Sequence, residues 1–308
     1  MRVIFMGTPD FAVPALLQLL SSGHQLVAVY TSPDKPAGRG RELSPSPVKR
    51  VSNEHGLEVR HVRSLKDEAA VASLAQLQPD VIVVASYGLI LPPKVLSIPA
   101  HGCINLHPSL LPRHRGPTPI PTAILAGDSE TGASIMLMDE GVDSGPILAQ
   151  RRLPIAPDDT TGSLTDKLAQ LSAQLLIETL PGWLSGATTP VPQREEGTTY
   201  TKMLSKADGE IDWSLPAVDI ERMVRAFQPW PGCYTRWRGR TLKVVAATPL
   251  RGKRDQQGKV IPLDDIAGVQ TGDGIIALRQ VQLEGKRQMD IAEFLRGQRD
   301  FIGSTLPS

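Results

Sequence analysis

The chain has 308 residues, of which 41% are hydrophobic and 21% are charged, and its formal net charge is +1. This composition excludes a chain that is disordered along most of its length, and the length predicts two domains that each bury a core. The balanced charge argues against a dedicated nucleic-acid binder, and two cysteines, no apolar run near about 18 residues and no leader-like N-terminus predict a cytoplasmic protein.

The first half of the chain alternates short apolar runs with helical patterns. The predicted helices cover Pro14–Leu20, Glu68–Leu77 and Thr160–Leu180, the last ending at Pro181-Gly182. The predicted strands are Val3–Met6, Leu26–Tyr30, Val81–Ala85, Gly102–Leu106 and Ala133–Met138. This alternation predicts an α/β fold with a Rossmann-like, mostly parallel sheet and helices on both faces. Ligands of such sheets bind beyond the carboxyl ends of the strands.

The second half has a different character. Residues 185–207 are rich in Gly, Thr, Pro and charge with little periodicity, which predicts a linker. A short helix over Pro216–Ala226 follows, and then come five glycine-punctuated β-like runs at 241–246, 258–261, 268–271, 274–278 and 281–283. We therefore predict a first domain over 1–184 and a small C-terminal β-barrel or sandwich over 208–308.

Basic residues are concentrated in this second half. Residues 1–190 carry 15 Lys and Arg against 17 Asp and Glu, whereas residues 191–308 carry 18 against 15. Between Arg236 and Lys259 there are eight basic residues and one acid, Asp255. On charge alone this stretch is most simply a solvated hairpin, although it also has the sign needed to face a polyanion.

Common nucleotide and hydrolase motifs are missing from the sequence. The loop after the first predicted strand, Gly7-Thr8-Pro9-Asp10, contains only the first glycine of a dinucleotide-binding turn. Neither G-x-x-x-x-G-K-[ST] nor G-x-S-x-G occurs in the chain. Dinucleotide-binding, P-loop and α/β-hydrolase interpretations therefore lose their usual support.

Two polar residues follow each other at the end of a predicted strand. If residues 102–107 are extended, Asn105 and His107 share one face and lie at the carboxyl edge of the sheet. Asn supplies an amide N–H donor and His supplies an acid, a base or a donor, which together suit an oxyanion formed in acyl transfer. For Asn-x-His alone, a polar strand end satisfied by its neighbours is the simpler interpretation.

An acidic segment after the next predicted strand favours a catalytic role for Asn105 and His107. Met138–Pro146 follows an apolar strand and contains three acids and two glycines, and any one of the acids can simply form a turn. At the edge of a neighbouring strand, Asp143 can approach His107 and orient or titrate it. Asn105, His107 and Asp143 thus predict an acyl-transfer site without a covalent nucleophile.

Two other constellations are weaker. His101, His107 and His114 have a spacing that matches no common metal motif, so no metal is predicted. A nucleophilic pair of Cys103 with His107 is sterically possible, but a cysteine inside an apolar strand is more often an inert buried thiol.

Together these segments resemble the methionyl-tRNA formyltransferases, and the resemblance extends nearly end to end. The segments that carry it are Phe5–Ala12, Asp34–Gly40, Ser86–Pro92, Gly102–His107, Ser109–Arg113, Met138–Gly145, Leu204–Lys206, Ile211–Ser214, Arg225–Gly232, Thr271–Gly274 and Gly285–Gly297. The Asn-x-His, Ser-Leu-Leu-Pro and downstream Asp pattern is shared by a wider group that uses 10-formyltetrahydrofolate, including glycinamide ribonucleotide transformylase and sugar N-formyltransferases. That pattern indicates the donor and the reaction, and the other segments indicate the acceptor.

The resemblance implies transfer of a formyl group from 10-formyltetrahydrofolate to the α-amine of methionine on initiator tRNA, by a monomer. It assigns catalysis to Asn105, His107 and Asp143. It places the folate pterin against an apolar surface formed by Leu89, Ile90, Leu91, Ser109, Leu110, Leu111 and Pro112. It makes residues 1–184 the catalytic domain and the C-terminal domain similar to an oligonucleotide-binding barrel. It assigns tRNA binding to basic residues in an inserted loop and in that C-terminal domain: Arg39, Arg41, Lys206, Arg236, Arg238 and Arg240.

Two alternatives remain at this point. One is a formyltransferase for a small amine such as an amino sugar nucleotide, and the other is a tRNA-binding module with an inert folate fold. The chain also departs from the family pattern after Ser-Leu-Leu-Pro, where His114 replaces an aromatic residue. Pro117, Pro119 and Pro121 are expected to displace the start of the next helix to about Pro121.

Overall fold

The computed structural model describes residues 1–37, 42–252 and 255–308, which form two compact units. The first unit comprises residues 1–119, 130–154 and 165–201, and the second comprises residues 120–129, 155–164 and 202–308. Within the described ranges, no helix has the length and apolar character needed to cross a membrane.

The secondary structure of the chain up to residue 184 begins with a strand and ends with a long helix. The strands are β1 Arg2–Gly7, β2 Gln25–Tyr30, β3 Lys35–Ala37, β4 Glu42–Ser44, β5 Val59–Arg60, β6 Val81–Ala85, β7 Cys103–His107, β8 Glu130–Leu137 and β9 Ile147–Pro154. The helices are α1 Val13–Ser21, α2 Pro47–Glu54, α3 Glu68–Ala75, α4 Pro93–Leu96, α5 Pro119–Ala126 and α6 Thr161–Leu184.

Seven of these strands form one sheet in the order β5-β2-β1-β6-β7-β8-β9. The pairs from β5 to β7 are parallel, whereas β8 runs antiparallel to β7 and β9 antiparallel to β8. The predicted α/β class with a mostly parallel sheet is therefore confirmed. The chain first runs outward from β1 to β5 and then returns to β6 on the other side of β1, so the strand order reverses between β1 and β6. Such a switch point opens a crevice beyond the carboxyl ends of the two strands.

The centre of the sheet is wholly apolar because it is covered on both faces. Every residue of β6 is buried, and Ile82 and Val84 pack in one cluster with Ile4, Met6 and Cys103. At the end of β1, a Cβ on Gly7 would lie only 2.8 Å from Cβ of Ala12, so this position requires glycine.

Two helix boundaries that were predicted from proline residues lie elsewhere in the structure. Helix α6 continues through Pro181 to Leu184, so the expected stop at Pro181 is wrong. Pro181 lies in the last turn, where its missing N–H costs the helix only the bond to the carbonyl of Ile177, and its own carbonyl still accepts the N–H of Ser185. Helix α5 begins at Pro119 rather than at about Pro121, because proline is tolerated in a first turn whose N–H groups have no helical partner.

The second unit contains an antiparallel sheet. Its strands are β10 Cys233–Trp237, β11 Arg240–Leu250, β12 Val260–Leu263, β13 Ile266–Gln270, β14 Ile275–Leu283 and β15 Met289–Asp290, with helices α7 Ala217–Ala226 and α8 Ile291–Gly297. The order is β10-β11-β14-β13-β12, with β15 on β14, and three rings pack edge to face in its core: Trp237, Phe294 and Phe301. The predicted small barrel-like β domain is confirmed, but its runs at 274–278 and 281–283 are one strand, because the polar pair between them continues the alternation instead of turning.

Candidate active site

Asn105 and His107 lie on β7, which pairs with β6 and is one strand away from the switch point. Asn105 is half-buried and His107 is only 4% exposed. Their side chains share a face because they are two residues apart in a strand, as the sequence predicts.

Asp143 approaches both residues from the loop between β8 and β9. Asn105 Nδ2 donates to Asp143 Oδ1 at 3.3 Å, and His107 Nδ1 lies 3.6 Å from Asp143 Oδ2. The N–H of Gly116 donates to the same Oδ2 at 2.8 Å, which holds the carboxylate in place. The structure thus brings together all three residues predicted to be catalytic, and their chemical roles remain predictions.

The second ring nitrogen of His107 fixes the tautomer. His107 Nε2 lies 3.0 Å from the carbonyl oxygen of His114. A carbonyl only accepts hydrogen bonds, so we assign the proton of the neutral ring to Nε2 and a lone pair to Nδ1. The single open protonation position of His107 is therefore the nitrogen that faces Asp143.

The charge state of His107 is set by its burial. Loss of solvent lowers the pKa of His107 below its ordinary value of 6.5, while the Asp143 carboxylate and the bond to the His114 carbonyl act in the opposite direction without overcoming it. At neutral pH the ring is neutral. At 3.6 Å the contact from Nδ1 to Asp143 is too long for a hydrogen bond, so it becomes favourable when a proton enters at Nδ1.

A segment near the end of the first unit contacts the site, although its sequence predicts only a linker. Gln193 Nε2 donates to the carbonyls of Asp143 and Gly145, and Gln193 Oε1 accepts two hydrogen bonds from Arg115. The N–H of His114 donates to Thr199 Oγ1 at 2.8 Å. Nothing in the periodicity signals these contacts, because Gln193 directly follows Pro192 in a segment with no regular pattern.

Leu89, Ile90 and Leu91 follow β6 and therefore border the switch point. Ile90 is 84% exposed, whereas Leu91 is buried. Within the described chain, the main-chain N–H and C=O groups of these three residues have no hydrogen-bond partner. An exposed apolar side chain beside unpaired donors and acceptors fits a flat heterocycle that carries its own polar edge, such as a pterin.

The other predicted folate segment, residues 109–112, is held internally. Ser134 Oγ donates to the carbonyl of Ser109 at 2.6 Å and accepts the N–H of Leu111 at 3.2 Å. Gln150 Nε2 donates to the carbonyl of Leu111 at 2.9 Å, Leu110 and Pro112 are half-buried, and Ser109 Oγ donates to the carbonyl of Arg113. These main-chain groups are used within the protein, so the segment is suited to form a rigid wall.

The weaker sequence hypotheses gain no support from the geometry. Cys103 is buried among apolar side chains, and this burial raises the pKa of its thiol to about 12. The thiol therefore stays protonated and is a poor nucleophile. Among the residues that the structure describes, no group of three or more His, Cys, Asp or Glu side chains is arranged to hold a metal.

The basic residues predicted to bind tRNA fall into three groups. Lys206 and Arg236 are exposed and line a cavity of about 400 Å³ in the second unit, together with Tyr234 and Lys243. We call these four residues the basic groove. The second group is exposed but has partners in the protein: Arg238 lies over the Trp237 ring and pairs with Asp300, and Arg240 donates to the carbonyl of Glu284. Arg39 and Arg41 lie outside the described residues.

Comparisons with known proteins agree with this geometry. A family described as formyl transferase matches residues 1–180, and its C-terminal domain matches residues 203–299. The chain is 49% identical to a methionyl-tRNA formyltransferase from Roseiflexus sp. (strain RS-1), with 97% of this chain and 93% of that protein covered. It is 46% identical to the methionyl-tRNA formyltransferase of Marinobacter nauticus, with 98% of each chain covered.

Solved structures share the fold at low sequence identity. An N-formyltransferase from Helicobacter canadensis, in complex with folinic acid and dTDP-3-aminofucose, superposes with a TM-score of 0.68 at 17% identity, covering 90% of this chain and 99% of that one. HypX from Aquifex aeolicus, in complex with tetrahydrofolic acid, gives a TM-score of 0.65 at 18% identity and covers 97% of this chain and 47% of that one. The family matches over both units and the identity over nearly the full length place this chain in the methionyl-tRNA formyltransferase family.

Proposed function

We propose that this protein transfers a formyl group from 10-formyltetrahydrofolate to the α-amine of methionine on initiator methionyl-tRNA, as a cytoplasmic monomer that uses no metal. The observation that carries the proposal is the cluster of Asn105, His107 and Asp143 in a chain that is 49% identical to a methionyl-tRNA formyltransferase over 97% of its length. The cluster supports the reaction, and the similarity over both units supports the acceptor.

The folate donor is bound by the loop after β6 and the wall formed by residues 109–112. Ile90 covers the ring, and the unpaired main-chain groups of Leu89 to Leu91 meet its polar edge. When bound, this donor supplies a formyl carbon that an amine can attack. The internal bonds of the 109–112 wall keep the opposite side from adjusting to a misplaced ligand.

Asn105 stabilises the oxygen of the formyl group as negative charge builds on it. One N–H of Asn105 Nδ2 is used to bind Asp143, and the second N–H remains for the substrate oxygen. Because Asn105 is held by Asp143 before any ligand arrives, this donor does not need to reorganise during the reaction.

His107 accepts the proton that the attacking amine must lose. The neutral ring has its lone pair at Nδ1, and protonation there creates an imidazolium that Asp143 stabilises from 3.6 Å. In the protonated state Nδ1 is also a donor, so His107 can then assist Asn105 and return the proton to the leaving nitrogen.

The tRNA is held through its phosphates by cations of the second unit. In the described chain Lys206, Arg236 and Lys243 form no ion pair, so the basic groove is open to an external anion. The aromatic ring of Tyr234 in the same cavity offers a surface on which a base or ribose can pack. Arg39 and Arg41 are proposed to contact the acceptor stem.

An acceptor assay tests the proposal directly. The wild-type protein is incubated with 10-formyltetrahydrofolate and either methionyl initiator tRNA or an amino sugar nucleotide, and formylated product is quantified. We expect product with the tRNA and none with the sugar. Product with the sugar alone would show a small-amine formyltransferase, and tRNA binding without turnover of folate on either acceptor would show a binding module.

A further inference from the structure

Every hydrogen-bonding position of the Gln193 amide is used within the protein. Its Nε2 donates to the carbonyl of Asp143 at 2.8 Å and to the carbonyl of Gly145 at 2.7 Å. Its Oε1 accepts from Arg115 Nε at 3.0 Å and from Arg115 Nη2 at 2.9 Å. Carbonyls only accept and a guanidinium only donates, so these partners also fix which end of the amide is oxygen.

Arg115 is an unusual partner because it is only 2% exposed. Its Nη1 donates to Tyr200 Oη at 3.2 Å, and its guanidinium lies 5.9 Å from the centre of the Tyr200 ring. The nearest carboxylate in the described chain, that of Glu195, is 3.9 Å away on a side chain that is 86% exposed. Burying a guanidinium against mainly neutral groups costs free energy. Two N–H groups of the planar Arg115 guanidinium donate to the same acceptor, Gln193 Oε1.

The two carbonyls that Gln193 binds bracket the residue whose carboxylate faces His107. Asp143 has a φ of +50°, a backbone conformation that residues other than glycine seldom adopt. Gly145 follows two residues later, and a Cβ there would meet the carbonyl of Leu137 at 1.9 Å. The Gln193 amide therefore ties down both sides of a turn that local backbone preference alone does not favour.

The same segment holds the opposite side of the imidazole. The N–H of Arg115 donates to the carbonyl of Thr199 at 2.9 Å, and the N–H of His114 donates to Thr199 Oγ1 at 2.8 Å. The carbonyl of His114 is the partner of His107 Nε2. Residues 193–199 consequently anchor both groups that orient the ring, the Asp143 carboxylate at Nδ1 and the His114 carbonyl at Nε2.

We propose that Gln193 and Arg115 are positioning residues for the formyl transfer, acting through Asp143 to keep His107 Nδ1 ready to accept a proton. This inference rests on the proposed function. Residues 193–200 would then hold the catalytic side chains in place, although neither Gln193 nor Arg115 needs to touch a substrate.

The decisive variant is Gln193→Glu, which keeps the length of the side chain and its acceptors for Arg115 but removes both N–H donors. We expect kcat to fall about 100-fold, because a displacement near 1 Å of a reacting group has an effect of that order, while KM for folate and for tRNA changes less than about threefold. The matched control is Glu196→Gln, the reverse change at an exposed residue of the same segment, and it is expected to leave kcat unchanged.

A second variant separates positioning from general stability. Gln193→Met removes the donors without adding charge, so the turn that carries Asp143 loses both of its bonds to Gln193, and we expect the carboxylate to move away from the ring. Among the groups around the His107 ring, Asp143 is the anion, Asn105 is neutral and His114 opposes protonation. Moving the anion away should shift the acid limb of the kcat profile to lower pH, which a loss of folded protein would not do.

These outcomes distinguish the inference from the proposed function. Wild-type protein that formylates no methionyl-tRNA contradicts the proposed function, whereas an active wild type with both Gln193 variants within twofold of its kcat overturns the positioning role. If neither variant folds, Tyr200→Phe decides, because it removes only the hydroxyl of an exposed ring from Arg115. A kcat lowered about threefold at constant KM supports the inference, and an unchanged kcat overturns it.

Discussion

The polar cluster around His107 and the basic groove of the second unit use charge in opposite ways. In the cluster, Asn105, Asp143 and Gln193 are bound to one another or to main-chain groups before any ligand is present. In the groove, Lys206, Arg236 and Lys243 are exposed around a cavity of about 400 Å³ and have no ion-pair partner among the described residues.

The two regions therefore contribute to the reaction in different ways. Buried groups in fixed geometry interact strongly and depend on single atoms, so one substitution there should have a large effect on the rate. Exposed cations are screened by salt and contribute additively to affinity, so one substitution there should have a small effect. The predictions below test this contrast, beginning with the cluster.

Asp143→Asn should give the largest effect. The substitution keeps the size of the side chain but removes the anion that stabilises a proton at His107 Nδ1, and we expect kcat to fall about 1,000-fold, within the range for loss of acid–base catalysis. Single-turnover formyl transfer with saturating folate and tRNA measures the effect. Asp139→Asn, an exposed residue of the same loop, is the matched control. A rate for Asp143→Asn within tenfold of the wild type contradicts the assigned role of this carboxylate.

The pH dependence of the wild type follows from the lowered pKa of His107. The neutral ring is the active base, so kcat should be constant above the ordinary histidine value of 6.5 and decline only at lower pH, by about tenfold per unit below the shifted pKa. Stability has the same sign. The unfolded chain takes up a proton near 6.5 before the folded protein does, so the free energy of unfolding decreases as the pH falls below that value.

His107→Gln removes the titrating group and should flatten this part of the stability curve. Chemical denaturation of both proteins between about pH 5 and pH 8, the titration range of histidine, gives their free energies of unfolding for comparison. If the kcat of the wild type already decreases while the pH is lowered from about 8 to 7, the proton acceptor is a group other than His107.

Much of the fold could be predicted because hydrophobic periodicity is a local property. The wholly apolar run of β6 identified a buried central strand, and the neighbouring runs identified a mostly parallel sheet. Strand β9 escaped prediction because it carries the side chains of Arg151 and Arg152 at the edge of the sheet, where they pair with Glu178 and Glu130. Charged residues at an edge disguise the apolar alternation on which the prediction relies.

The site divides in the same manner. Although β8 runs antiparallel to β7, the loop that follows it carries Asp143 back to His107. Asn105, His107 and Asp143 could therefore be brought together from sequence, as residues of one strand and of the loop after its neighbour. Gln193 could not, since it reaches Asp143 across 50 residues and Arg115 across 78, from a segment without periodicity. Contacts of this kind depend on how loops close over a sheet, and no short sequence pattern encodes them.

Ile90 tests whether an exposed residue of the first unit, like the residues of the basic groove, affects KM and not kcat. Its side chain is 84% exposed, so Ile90→Asp should leave folding and kcat nearly unchanged while KM for folate rises about tenfold, the effect of losing burial of one aliphatic side chain against the ligand. Steady-state kinetics with varied folate measures this change, and Ile90→Leu should restore the wild-type KM. Equal increases of KM for folate and for tRNA would contradict the assignment of this loop to the donor.

Arg236→Ala should give the smallest effect. One phosphate contact is lost from the basic groove, so we expect KM for tRNA to rise about threefold at low salt, kcat and KM for folate to stay constant, and the salt slope to fall by about one. Arg238→Ala should change KM less, because Asp300 already partly neutralises Arg238. Arg279→Ala removes the same charge from another exposed strand position and serves as the control. If Arg236→Ala and Arg279→Ala raise KM for tRNA equally, the groove has no special role, and the second unit attracts tRNA only through its overall charge.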